Sequence, residues 1–151
     1  MRVDKLAQAF AVVHQALEDA DVFWWLADGA ALGAVREGRI IGGDIDIGVW
    51  VDHLDWVAEA LPGPVTRNRC EVKATVDGVK VDVHGHIGGR GDRVWYSLGK
   101  SESVAYEFDG SLFRKFELHE LYGRHVRVPC PAGAYLTARF GSDWRMSPLA
   151  A

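Results

Sequence analysis

Apolar residues recur near the start of the chain with the spacing of a helix face. Leu6, Phe10, Val13 and Leu17 stand four, three and four positions apart. They line one stripe and predict a helix over residues 4–20. Val22 to Leu26 is a continuous aromatic-rich run that reads as a short buried strand, broken by Asp28-Gly29. Ala30 to Arg36 carries strong helix formers, and Glu37-Gly38 ends that helix. Ile45 to Val49 alternates as a strand. Asp52 stands where a cap would open a helix running to about Leu61, with Asp55 three residues on. Pro62-Gly63-Pro64 stops it.

The middle of the chain turns to strands. Glu71 to Val76 and Val79 to His84 flank Asp77-Gly78, a two-residue hairpin turn. Gly88 to Asp92 reads as a loop, and Arg93 to Ser97 and Val104 to Phe108 as further strands. Phe116 to Val128 reads as a hairpin around Tyr122-Gly123-Arg124, with a short helix as the alternative. Pro131 opens a last helix, with Leu136 and Phe140 inward and Gly141 past its end. Ser147 to Ala151 reads as a frayed tail. Helices alternating with local hairpins predict an α/β (α+β) arrangement, a mixed sheet with flanking helices.

Length and charge narrow the function. The 151 residues, 48% hydrophobic and 25% charged, suit a single domain over residues 1–151. A net charge of -4 argues against broad nucleic-acid binding, so no nucleic-acid partner is expected. Cys70 and Cys130 are far apart and form no Cys-x-x-Cys, which predicts a reducing, cytoplasmic setting. The N-terminus lacks the apolar run of a signal peptide, and no stretch reaches the ~18–20 apolar residues of a membrane span.

Candidate chemistry centres on Gly42-Gly43-Asp44-Ile45-Asp46-Ile47-Gly48-Val49. On a strand, Asp44 and Asp46 point to one side and Ile45, Ile47 and Val49 to the other. Two carboxylates that close repel unless a cation sits between them. A hard divalent ion takes such oxygens and keeps positions for water and a substrate phosphate. Asp-x-Asp is short and common, and the same pattern also describes the solvated edge of an amphipathic strand. Asp82 interrupts an apolar run and shares its face with Lys80, His84 and His86. It is either a third carboxylate for a metal cluster or the polar face of a hairpin. His84 and His86 have a spacing that admits zinc, with Asp82 and His119 as the only further ligands, but match no finger pattern. A solvated or supporting role is the expectation for them.

A helix opening behind Gly29 offers free backbone N–H groups to phosphate, and Arg36 lies one to two turns further on. The alternative is a capped helix with a surface arginine. Asp28 to Gly33 is neither a Walker loop nor a dinucleotide fingerprint. No Gly-x-Ser-x-Gly elbow is present, and neither cysteine has a histidine neighbour. The six tryptophans are expected in the core or a pocket wall.

Together these pieces resemble the LicD/fukutin-related family of the nucleotidyltransferase-like superfamily. The family reads as an aromatic-rich strand, Gly-Thr-Leu-Leu-Gly-Ala-Val-Arg, a glycine-containing turn, then Asp-x-Asp and an apolar strand. Here those positions are Phe23 to Leu26, Gly29-Ala30-Ala31-Leu32-Gly33-Ala34-Val35-Arg36, Gly38 to Gly43, and Asp44-Ile45-Asp46-Ile47-Gly48. Val128-Pro129, Tyr135-Leu136, Phe140-Gly141-Ser142-Asp143-Trp144 and Pro148 resemble the family's closing pattern. The family's Pro-Trp-Asp-Asp is Ile40-Ile41-Gly42-Gly43 here, and its threonine is Ala30.

The resemblance implies a mixed sheet with flanking helices. It implies Asp44, Asp46 and Asp82 as catalytic residues and ligands of Mg²⁺ or Mn²⁺, with Gly29, Ala30 and Arg36 around the donor phosphates. Family members move a phosphoalcohol, such as phosphocholine or ribitol phosphate, from a CDP-alcohol to a glycan. More distant members move a nucleoside monophosphate from a nucleoside triphosphate (NTP) to a small hydroxylated acceptor. The first activity is the leading expectation and the second its alternative. A non-catalytic nucleotide- or partner-binding module is the third.

Overall fold

The computed structural model describes residues 4–97 and 105–146. The expected tail from Ser147, Pro148 and the start of the strand at Val104 lie outside them. Helix α1 (Lys5–Asp19) opens at Asp4, whose carboxylate accepts the Leu6 and Ala7 amides at 3.0 and 3.2 Å. It buries Ala9, Phe10, Val13 and Leu17. Strand β1 shrinks to Trp25–Leu26, although Val22 and Trp24 are also buried. That apolar run is core without a ladder. Helix α2 (Asp28–Glu37) ends on Gly38, whose φ of 70° gives the left-handed cap that glycine adopts freely.

Strand β2 (Asp44–Trp50) pairs antiparallel with β1 and parallel with β5 (Val79–Arg90). Ile45, Ile47 and Val49 are wholly buried beneath the sheet, with Val81 and Val83 from β5. The β4 strand (Glu71–Val76) pairs antiparallel with β5 across Asp77 and Gly78, whose φ angles of 50° and 80° suit that hairpin. A three-residue edge strand, β3 (Val65–Arg67), pairs with β4, giving the order β1-β2-β5-β4-β3. It had no alternation to betray it.

The strand β5 runs to Arg90, past the predicted end at His84 and into the expected loop. A register shift between Ile87 and Arg90 lets it leave the main sheet and pair with β6 (Arg93–Tyr96), which pairs with β7 (Tyr106–Asp109). The sheet therefore curls. Strands β8 (Phe116–Leu121) and β9 (Arg124–Pro129) form a separate hairpin, with Tyr122 and Gly123 at φ 52° and 76°. The alternative of a short helix there does not occur.

Asp52 does not cap a helix. A short 3-10 turn, Val51–His53, precedes α3 (Leu54–Ala60), and Asp55 instead accepts from Arg67 Nε at 2.6 Å. Trp24, Trp25 and Trp144 are buried as expected, whereas Trp56 is 53% exposed.

Helix α4 (Ala132–Phe140) is started from outside itself. The Ala132 amide donates to Glu117 Oε2 of β8 at 2.6 Å. That bond holds the Glu117 carboxyl below the usual carboxylate range, against a smaller opposing effect of burial and with help from His119. A lowered pKa gives stability that is present above the unfolded pKa and lost as pH falls through the folded one. Glu117→Gln should therefore cost about 1 kcal/mol near neutral pH. In urea melts the deficit should shrink as pH falls below the ordinary carboxylate range, because wild-type Glu117 loses the same interaction as it takes up a proton.

Candidate functional site

A cavity of about 400 Å³ opens over the sheet where β2 and β5 lie side by side. Its size suits a small-molecule site. The ladder pairs Asp46 with Asp82 and Gly48 with His84. Paired residues of parallel strands present their side chains to the same face. Asp44, Asp46, Asp82 and His84 all line the cavity, together with Gly29 at the start of α2 and Gly42 and Gly43 before β2. Tyr96, Tyr106, Arg139 and Phe140 complete the wall.

Electrostatics set the site apart from a solvated strand edge. Asp82 Oδ1 is buried without a hydrogen bond, with Lys73 Nζ 3.9 Å away. Burial raises the Asp46 carboxyl above the usual range; His84 opposes this, and the charges of Asp28 and Asp82 add to it. Uncompensated negative charge is a reason for a cation to bind. Asp28, Asp46 and His84 offer ligand atoms all within 4.8 Å of one another. The carboxylate oxygens suit a hard divalent cation such as Mg²⁺ or Mn²⁺, and the imidazole does not add to that fit.

His84 is buried among carboxylates. Its Nε2 lies 3.6 Å from Asp28 and 3.8 Å from Asp46, and its Nδ1 lies 3.8 Å from Glu71. Burial pulls its pKa down, but Asp46, Asp28 and Asp82 outweigh that, and the net shift is upward. His86 behaves oppositely. Its Nδ1 donates to the His84 carbonyl at 2.9 Å, and burial lowers its pKa to about 4, so the ring is neutral. It packs between Trp25, Tyr96 and Phe113. The solvated role fails for both histidines, and His119 sits on the β8–β9 hairpin against Glu117. Zinc coordination by the His-x-His pair has no support.

Asp28, read in the sequence as a strand breaker, is a buried member of the site. Its φ of 48° is left-handed, a strained state for a residue with a side chain, and such strain collects at functional sites. Asp28 Oδ1 accepts from Tyr96 Oη at 2.5 Å and from Arg139 Nε at 2.8 Å, while its own amide donates to Tyr135 Oη at 3.0 Å. Burial, then the Asp28 charge, raises the Tyr96 phenol far above its ordinary value, so Tyr96 remains a donor. Sequence reasoning missed Asp28, Tyr96, Tyr106 and Arg139. Their partners lie 68 and 111 positions apart, beyond any local pattern.

Arg36 does not line the cavity. Its Nη1 donates to the Trp144 carbonyl at 2.8 Å, and its Nη2 pairs with Glu37 at 3.0 Å. Seven residues of helix put it about 10 Å along the axis from Gly29, at the wrong end of α2 for phosphates at Gly29. Ala30 is fully buried behind Gly29.

Solved structures with the same architecture exist. The lincosamide antibiotic adenylyltransferase LnuA, in a lincomycin-bound crystal structure, is 15% identical, with a TM-score of 0.56 over 81% of this chain and 78% of that one. ANT(2")-Ia, in complex with adenylyl-2"-tobramycin, is 18% identical, with a TM-score of 0.53 over 83% and 70%. A provisionally assigned nucleotidyltransferase from Thermotoga maritima is 15% identical, with a TM-score of 0.51 over 85% and 79%. The fold is that of the nucleotidyltransferases. The likeness is one of fold and does not single out the LicD/fukutin-related family. No protein-family model and no curated protein matches the chain. Among the described residues, no helix is long and apolar enough to cross a membrane.

Proposed function

We propose that this chain transfers a nucleoside monophosphate from an NTP to a hydroxyl group of a small acceptor. The observation that carries the reading is Asp46 directly opposite Asp82 on parallel strands, with Asp44 lining the same cavity. Support for a nucleotide donor comes from the fold shared with LnuA and ANT(2")-Ia.

Asp44, Asp46 and Asp82 would hold Mg²⁺ or Mn²⁺. A cation held by these carboxylates would supply charge neutralisation for the donor phosphates and polarisation of the phosphorus under attack. Gly29, at the N-terminus of α2, presents its backbone N–H to the donor phosphates, with Ala30 buried behind it. Asp82 takes the proton of the acceptor hydroxyl, which must come within hydrogen-bond reach. The acceptor oxygen bonds to the α-phosphorus, the bond from that phosphorus to the β-bridging oxygen breaks, and its electron pair leaves with pyrophosphate. An NTP donor suits the cytosol, as do Cys70 and Cys130, which are not joined in a disulfide.

Pyrophosphate release should therefore require NTP, divalent cation and acceptor together. Lincomycin and tobramycin head the acceptor panel, chosen because structures of this fold contain them. Excess EDTA should reduce release to background, and Mg²⁺ should restore it. Release that survives chelation contradicts the reading. Transfer of a phosphoalcohol from a CDP-alcohol is the second reading, supported by the motif from Gly29 to Asp46.

A further inference from the structure

The cavity has one conspicuous imbalance. Asp28, Asp44, Asp46 and Asp82 line it, and Arg139 is the only lysine or arginine among its described lining residues. A nucleoside triphosphate brings several more negative charges to the same place. A single divalent cation offsets only part of that charge, so a cationic side chain facing the distal phosphates would add to it.

Arg139 is built as a fixed fork. Its Nε donates to buried Asp28 at 2.8 Å, and its guanidinium carbon lies 3.8 Å from the Tyr106 ring centroid and 4.6 Å from that of Phe140. The ion pair and the rings hold the plane of the group. Only Nε is used in this way. Both Nη amino groups are without a hydrogen bond to any described residue, on a side chain that lines the cavity. Asp28 also begins α2, so the anchored guanidinium sits beside the helix N-terminus at Gly29. A guanidinium with one edge tied and two amino groups spare matches bidentate recognition of phosphate oxygens.

We propose that Arg139 binds the β- and γ-phosphates of the donor and then the pyrophosphate that departs. Asp28 and Tyr106 act as positioning residues for it. The proposal rests on the nucleotidyl-transfer reading, but its test does not need turnover. The probe is inorganic pyrophosphate with Mg²⁺, titrated calorimetrically into the intact chain.

Wild type should bind pyrophosphate, and Arg139→Gln should weaken that binding by about 10- to 100-fold, the range for losing charge-assisted hydrogen bonds. Arg139→Lys should recover part of it, since the charge remains but the fork is lost. Binding of a nucleoside monophosphate should change by less than about threefold in both variants, because it lacks the distal phosphates. Circular dichroism separates these outcomes from unfolding. If Arg139→Gln does not fold, Tyr106→Leu, which keeps the charge and removes the stacked ring, should still weaken pyrophosphate binding selectively. Equal pyrophosphate affinity in wild type and the folded variants overturns the proposal. So does an equal loss for the monophosphate. Arg139-dependent pyrophosphate binding without transfer from any NTP supports the anchor and counts against the transfer reading alone.

Discussion

Asp46→Asn is expected to abolish nucleotidyl transfer while leaving the fold at least as stable as wild type. The substitution keeps the shape of the side chain and removes its charge. Asp46 is the carboxylate paired with Asp82 and grouped with Asp28 and His84, so its loss should cripple any cation held there. Loss of a preorganised electrostatic group in an active site costs about a hundred- to a thousandfold in turnover. A shared metal ligand belongs at the upper end. The stability side has the opposite sign. A carboxyl whose pKa is raised in the folded state is destabilising when ionised, and that cost is present in full above its folded pKa. The neutral amide removes the cost of burying a charge and, with it, the repulsion from Asp28 and Asp82. Thermal melts should therefore show an unchanged or higher midpoint beside a dead enzyme. A lower midpoint would mean that Asp46 lost activity by unfolding.

The second large effect is expected at Gly48. It follows Asp46 by two positions on the same face of β2, opposite His84. There the face turns from carboxylates to rings. The Trp25 indole packs against Gly48, and a Cβ built there would come within 2.0 Å of Trp25 Nε1. Trp25 cannot step aside, because it is packed against Trp50, His86, Phe113 and Phe116. Overpacking of a tight core costs about 1–3 kcal/mol, occasionally more. The small domain has only about 5–15 kcal/mol in total. Gly48→Ala should lower the thermal midpoint by about 2–4 °C for each kcal/mol lost. Transfer activity should fall with the folded fraction rather than ahead of it. An unchanged midpoint would show that the indole moves freely.

Much of this molecule is legible in the chain because its signals are local. The α1 stripe, the Asp77-Gly78 and Tyr122-Gly123 turns, and the alternation across Ile45, Ile47 and Val49 each depend on neighbours within a few positions. Asp44, Asp46 and Asp82 could be placed on strand faces for the same reason. Residues whose meaning depends on distant partners were not legible. Asp28-Gly29 carries the composition of a turn, yet Asp28 is tied to Tyr96, Tyr135 and Arg139 from two later elements, β6 and α4. Arg36 and Arg139 are both helical arginines near a chain bend. Only the packing of α4 beside α2 decides which one meets the cavity. The extension of β5 to Arg90 was hidden by glycines that read as a loop but serve the register shift that curls the sheet.

The mass of the acceptor after reaction tests the account most directly. Each acceptor would be incubated with Mg²⁺ and, in parallel, with an NTP or a CDP-alcohol, and the product weighed. A gain of one nucleoside monophosphate, seen only with the NTP and absent in Asp46→Asn, is the predicted result. A gain of a phosphoalcohol from the CDP-alcohol, with none from any NTP, would contradict it.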